Sequence, residues 1–187
     1  SPCQGDAEPA RYLGAAVCGE CHEPELARWR DPYHDRAMKE PTPQTVLGDF
    51  KDAELSAHGI TSRFFERAGR YWVRTDGPDG KLQDYPIRYT FGWYPLQQYL
   101  IELPGGRLQS LGLAWDSRPK AQGGQRWFHL YPNERMDHTN PLHWTLADQT
   151  WNYQCADCHS TDLHKGYDAQ RNVYETRFAE INVACEA

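Results

Sequence analysis

The feature that most constrains this chain is a five-residue motif, C-x-x-C-H, that occurs twice, at residues 18–22 and 155–159. Two thiols three positions apart can each form a thioether with one porphyrin, and the adjacent His then reaches the iron. The two copies use four of the six cysteines and two of the eight histidines. We therefore predict two covalently attached haem c groups, held by Cys18, Cys21, His22, Cys155, Cys158 and His159.

Two other sites use similar cysteine spacing: a C-x-x-C redox dithiol and a zinc knuckle. Either would use the thiols without a porphyrin. The remaining sequence offers no zinc-ligand spacing that would compete for these cysteines. Two motifs that both end in His therefore favour haem over the alternatives.

The composition is unusually polar for a folded chain of 187 residues. The apolar fraction is 39% and the mean hydropathy is -0.84. A porphyrin is a large apolar plate, so two haems would replace part of the core that such a polypeptide lacks. The length suits one domain, or one domain with an insertion.

The net charge of -6 argues against nucleic acid and anionic membranes as partners. No run of 18 apolar residues is present, so we predict no transmembrane segment. Haem attachment of this type occurs on the oxidising side of the membrane, which predicts a bacterial protein of the periplasm or cell surface. Cys3 is a candidate for a disulfide with Cys185 or for lipid attachment.

Local patterns predict a helix after the first motif, over residues 24–38, interrupted at Pro32. Alternation predicts strands at 70–74, 85–91 and 108–115, within an antiparallel insert of four to six strands. We therefore predict an α+β fold, with short helices and loops wrapped around two haems and the β insert between the motifs. The predicted segments are 1–57 (first haem), 58–130 (insert) and 131–187 (second haem), together one compact domain.

Several stretches resemble secreted bacterial multihaem c-type cytochromes, whose N-terminal haem domain is often followed by tetratricopeptide repeats. The resemblance covers nearly the whole chain and rests on both motifs and on residues 34–38, 45–50, 95–99, 124–132 and 151–154. In that family, the equivalent of Cys185-Glu186-Ala187 continues into a third C-x-x-C-H. The resemblance thus implies a chain cut just before a third motif, with a third haem if it continues beyond Ala187.

Candidate axial ligands come from the six remaining histidines. His34 is the first choice, because the Trp-x4-His pattern after the first motif resembles a distal ligand of related cytochromes. His143 and His129 follow, because aromatic neighbours flank both and each falls in a family-like stretch. Met38 is the rival and would give a His/Met haem of raised potential, although we favour bis-His ligation.

These features predict an electron-transfer module that passes single electrons between redox partner proteins, has no catalytic residue and is capable of self-assembly. The alternative is a haem enzyme or sensor with one open iron, which binds or reduces nitrite, nitric oxide, hydroxylamine, tetrathionate or peroxide. Arg126, His129 and Tyr131 are the candidates to lie over such an iron. A third, weaker reading makes the β insert a binding module with purely structural haems.

Overall fold

The computed structural model describes residues 11–30 and 33–187, in which antiparallel strands predominate. The strands are β1 (Met38–Lys39), β2 (Lys51–Ala57), β3 (Ile60–Arg67), β4 (Arg70–Asp76), β5 (Leu82–Phe91), β6 (Leu96–Leu103), β7 (Arg107–Ser110), β8 (Leu113–Asp116), β9 (Arg126–His129), β10 (Tyr167–Asp168) and β11 (Val173–Tyr174). The α-helices are α1 (Ala15–Cys18), α2 (Glu23–Trp29), α3 (Trp151–Gln154) and α4 (Ala156–His159). Two short 3-10 helices cover Lys120–Gln122 and Ala147–Gln149.

One nine-stranded sheet has the order β2-β3-β4-β5-β6-β8-β9, with β1 paired to β5 and β7 paired to β6. Tight hairpin turns explain why consecutive strands, from β2 to β4, pair with each other. His58-Gly59 joins β2 to β3 and Ala68-Gly69 joins β3 to β4, and all four residues have positive φ. Two-residue turns with positive φ match the right-handed twist of paired strands. The twist brings β2 into contact with β9, so that the sheet is nearly closed and barrel-like.

Two clusters of buried side chains fill the fold. The larger lies inside the curled sheet and centres on Phe50 and Trp127, whose ring centroids are 5.4 Å apart. The smaller contains Met38, Tyr89, Leu100, Leu108, Trp151 and Ala156, and it packs the second motif against β5, β6 and β7. The aromatic residues of the insert are therefore mainly sheet core.

The predicted α+β fold, with short helices and loops wrapped around two haems, is wrong. The chain is 14% helical, and α2, its longest described helix, has seven residues. The physical reason is that the sheet builds its own core from aromatic side chains, so the polypeptide does not depend on porphyrin for burial. No helix within the described ranges combines the length and apolar character needed to cross a bilayer.

Individual strands were better predicted than the architecture. The expected strands at 70–74 and 85–91 lie within β4 and β5, and the expected strand at 108–115 is divided into β7 and β8. The sheet has nine strands instead of four to six, and it begins before residue 58. The helix expected over 24–38 ends at Trp29. The predicted domain boundaries stay a prediction.

Candidate functional site

The first motif forms a tight turn between α1 and α2. Helix α1 ends at Cys18. The Cys18 carbonyl accepts hydrogen bonds from the backbone N–H groups of Cys21 (3.3 Å) and His22 (2.9 Å). Gly19 lies against Leu26 of α2, so that a Cβ at this position would require the Leu26 side chain to move. Cys21 and His22 are exposed and Cys18 is half-buried. The turn therefore leaves one thiol and the imidazole exposed and the other thiol half-buried, an accessibility that suits thioether attachment.

The C-terminal segment, residues 180–187, packs against this turn. The carboxylate of Glu186 accepts the backbone N–H of Gly14 at 2.7 Å, and Glu180 accepts that of Ala15 at 2.9 Å. Burial raises the pKa of the Cys18 thiol, and the adjacent Cys185 thiol and Glu186 carboxylate raise it further. Cys185 thus lies beside the first motif. Its predicted disulfide partner, Cys3, lies outside the described residues.

The second motif is anchored to the sheet by the helix that precedes it. Trp151 and Asn152 are both fully buried, and the Asn152 side chain makes three hydrogen bonds. Its Oδ1 accepts the backbone N–H of Leu108 (2.7 Å), and its Nδ2 donates to the Gly106 carbonyl (3.1 Å) and to Thr176 Oγ1 (2.9 Å). These bonds join α3 to the β6–β7 turn and to the segment after the motif. They fix the position from which the motif starts.

The imidazole of the second motif is partly enclosed by protein. The ring of His159 packs edge-to-face on Phe91, with centroids 4.5 Å apart. Its Nδ1 is buried and has no hydrogen-bond partner among residues 11–30 and 33–187. Burial lowers the pKa of His159 and so favours the neutral ring, which is the form that binds a metal. Cys155 is half-buried and Cys158 is exposed. This donor set fits a covalently attached haem.

The structure connects His34 with α2, the helix after the first motif, through Val183. The Val183 carbonyl accepts the indole N–H of Trp29 (2.8 Å), and the Val183 N–H donates to the His34 carbonyl (3.3 Å). The His34 side chain is exposed. Met38, in contrast, is fully buried and pairs with Phe91, so it lies beside the second motif.

The other two candidate ligands lie elsewhere. His143 is 1% exposed, and its ring nitrogens contact Asp76 Oδ2 (3.0 Å) and Thr145 Oγ1 (2.8 Å). His129 Nδ1 accepts the Tyr131 N–H at 3.0 Å. Within the described part of the chain, no hydrogen bond or ring contact joins either ring to a motif residue. Both nitrogens of His143 are thus engaged, and the ligand roles of His143 and His129 stay predictions.

Burial and the neighbouring His58 ring lower the pKa of His129 to about 4. The two rings meet edge-to-face with centroids 4.5 Å apart, and His58 Nε2 donates to the Tyr131 carbonyl at 3.0 Å. His129 is therefore neutral at pH 7. With Nδ1 acting as an acceptor, the proton of the neutral ring resides on Nε2.

Sequence reasoning missed three residues that position the motifs: Phe91, Asn152 and Asn182. The Asn182 side-chain amide donates to the backbone carbonyl (3.0 Å) and carboxylate (2.8 Å) of Asp35, and the backbone carbonyl of Asn182 accepts from Thr161 Oγ1 (2.8 Å). It therefore links the segment after the second motif to the segment after the first. The one available sequence signal was Asn152 itself. It lies between the aromatic residues Trp151 and Tyr153, and an amide buried among them must be hydrogen-bonded.

Comparison with known proteins gives one match. Residues 17–60 match the family described as cytochrome c554 and c-prime. The matched stretch contains the first motif, α2, His34 and β2, and it is a minority of the chain. No curated protein and no solved structure matches the chain. The match supports a c-type cytochrome, a protein that carries covalently bound haem c and transfers electrons.

Proposed function

We propose that the chain is a dihaem c-type cytochrome that carries single electrons between redox partner proteins outside the cytoplasm. The observation that carries the proposal is the second motif, which lies outside the matched family stretch and yet has the local features that haem attachment needs. There, an imidazole held neutral by burial lies next to one half-buried and one exposed thiol. The first motif supports the proposal, because its thiols are likewise one half-buried and one exposed, and its His22 is exposed.

Bound haem iron supplies one-electron chemistry by cycling between its ferrous and ferric states. The residues of the chain bind, orient and shield the group. The cysteine pairs anchor each porphyrin, and His22 and His159 bind the irons. Phe91 covers one side of the His159 ring and limits the access of water to it. Burial and nearby charge then tune the potential.

One distal ligand is proposed from its position. We assign His34 to the first haem, because the Val183 backbone bonds both to the His34 carbonyl and to the indole N–H of Trp29, in the helix that follows the first motif. A second imidazole closes an iron to exogenous ligands, which suits an electron carrier. The expected location is the periplasm or the cell surface, where haem attachment of this type takes place.

The first test is the intact mass of the protein made in a host with the haem-attachment machinery. The wild type should carry two haem additions. The double variants Cys18→Ser/Cys21→Ser and Cys155→Ser/Cys158→Ser should each carry one, and the control Cys185→Ser should keep both. A wild-type mass without any addition would remove the haem assignment. A single addition that disappears only with the first pair would remove the second site.

A second test separates an electron carrier from an enzyme or sensor. The visible spectrum of the dithionite-reduced protein is recorded before and after addition of carbon monoxide. An unchanged spectrum means that protein ligands occupy both axial positions of each iron, as an electron carrier requires. A Soret shift on about half of the haem would mean one open iron and would favour the enzyme or sensor.

A further inference from the structure

The outer side of the β3–β4 hairpin differs in charge and composition from the rest of the chain. Strand alternation directs Phe64 and Val73 into the core, where both are fully buried. The alternate residues of both strands lie on the opposite side, where the arginines are exposed and the two aromatic residues are half-buried. We call them the arginine–aromatic face: Arg63, Phe65, Arg67, Arg70, Trp72 and Arg74.

The centre of this face is a prearranged stack. Phe65 and Trp72 are directly opposite each other in the strand register. The guanidinium carbon of Arg67 lies 4.0 Å from the Trp72 ring centroid and 5.5 Å from that of Phe65. The Trp72 indole N–H donates to the Arg67 carbonyl at 3.4 Å. Because stacking already restricts this guanidinium, less entropy is lost when a partner binds it.

The carboxylates on this face do not balance its guanidinium groups. Asp84 is shared, with Oδ2 2.9 Å from Arg67 Nη1 and Oδ1 3.3 Å from Arg74 Nη1. Arg63 pairs with Asp52 at 2.7 Å and lies opposite Glu54 in the register. Arg70 has no ion pair within residues 11–30 and 33–187. Four guanidinium groups thus face three carboxylates, in a chain whose net charge is -6.

A groove of about 200 Å³ adjoins the face at the β3–β4 turn. Arg70 and Arg88 line it, together with Tyr71, Ile87 and Glu40. The guanidinium of Arg88 is only loosely paired, at 3.9 Å from Glu40 and 3.6 Å from Glu102. The groove therefore offers two cationic groups, against one carboxylate, and an apolar wall to an entering acidic side chain.

We propose that the arginine–aromatic face is a docking surface for a protein partner that presents an acidic segment. The carboxylates of that segment pair with Arg67 and Arg70, and its apolar side chains pack on Trp72 and Phe65. Arg and Trp are the residue types that contribute most to protein–protein binding energy. A nucleic acid fits less well, because the chain is acidic overall and carboxylates alternate with these arginines. The proposal does not depend on the haem chemistry.

The test is the binding of a fluorescein-labelled oligoglutamate peptide to the haem-loaded protein, followed by fluorescence anisotropy at low salt. Arg67→Gln/Arg70→Gln should weaken binding by about tenfold or more. The control Arg28→Gln/Arg135→Gln removes the same charge from arginines that are 79% and 81% exposed, and should change binding by less than about twofold. The single variant Arg70→Gln breaks no ion pair and should give an intermediate loss in a normally folded protein.

Three results would overturn the proposal. The first is an absence of peptide binding to the wild type. The second is equal weakening by the two double variants, which would mean that net charge alone drives the association. The third is tighter binding of a single-stranded DNA of matched charge with the same dependence on Arg67 and Arg70, which would identify a nucleic-acid surface.

Discussion

Replacement of Asn152 by Ala tests whether one buried amide holds the second motif on the sheet. The variant loses one buried and two partly buried hydrogen bonds, each worth about 1 kcal/mol net. It also leaves the Leu108 N–H buried without an acceptor, which adds about 1 kcal/mol or more. We therefore expect the free energy of unfolding to fall by about 4 kcal/mol. For a chain of this length, that corresponds to a loss of roughly 8–16 °C in Tm.

The assay is urea unfolding at pH 7, followed by far-UV circular dichroism for the sheet and by the Soret band for the haems. Asn133→Ala is the matched control, because it makes the same chemical change at an exposed position. It should change the free energy of unfolding by less than about 0.5 kcal/mol. In Asn152→Ala, the Soret band of one haem should also change at a lower urea concentration than the sheet signal.

A loss below about 1 kcal/mol in Asn152→Ala would refute the reasoning, since water would then have to satisfy the groups that Asn152 binds. A large loss of stability without an earlier change in the Soret band would refute the prediction that Asn152 positions the second motif. In that case, the amide stabilises the sheet without positioning the motif.

Three further changes have defined outcomes. Burial lowers the pKa of His129 to about 4, so the stabilisation from the neutral ring is complete above about pH 6.5 and is lost as the pH drops toward 4. Between pH 7 and 5, the free energy of urea unfolding should fall by about 1 kcal/mol more in the wild type than in His129→Asn, a figure already reduced because the ring is only half-buried. Equal losses in the two proteins would contradict this. Tyr99→Phe removes the acceptor for the Gly48 N–H (2.9 Å) and should lower the free energy of unfolding by about 1–3 kcal/mol in the same assay. An unchanged free energy of unfolding would mean that the hydroxyl is dispensable. Phe91→Ala exposes the His159 ring and should lower the reduction potential of one haem only in a redox titration; equal shifts of both potentials would contradict the placement of Phe91.

The attachment motifs could be predicted from sequence because their chemistry is local. Two cysteines and a histidine at fixed spacing predict a haem site whatever the surrounding fold, and the turn at residues 18–22 is closed by its own backbone hydrogen bonds. Strand positions at 70–74 and 85–91 were equally local, since alternation of apolar and polar residues determines which side of a strand is buried.

The axial ligands could not be predicted in this way. Aromatic neighbours made His143 a candidate, but a carboxylate 67 positions away along the chain engages one of its nitrogens. Chain proximity to aromatic residues does not reveal which groups a fold brings together. For the same reason, the role of Asn182 could not be predicted, because its partner Asp35 lies 147 positions away along the chain.

The amino-acid sequence by itself predicted the haem attachment sites and several of the strands, and it determined how acidic the chain is, because each depends on neighbouring residues or on a sum over the chain. Only the tertiary structure decided that the sheet closes on its own aromatic core, that Met38 lies beside the second motif and that Cys185 lies beside the first. These relations depend on the register and twist of nine strands, which place residues from distant parts of the chain in contact.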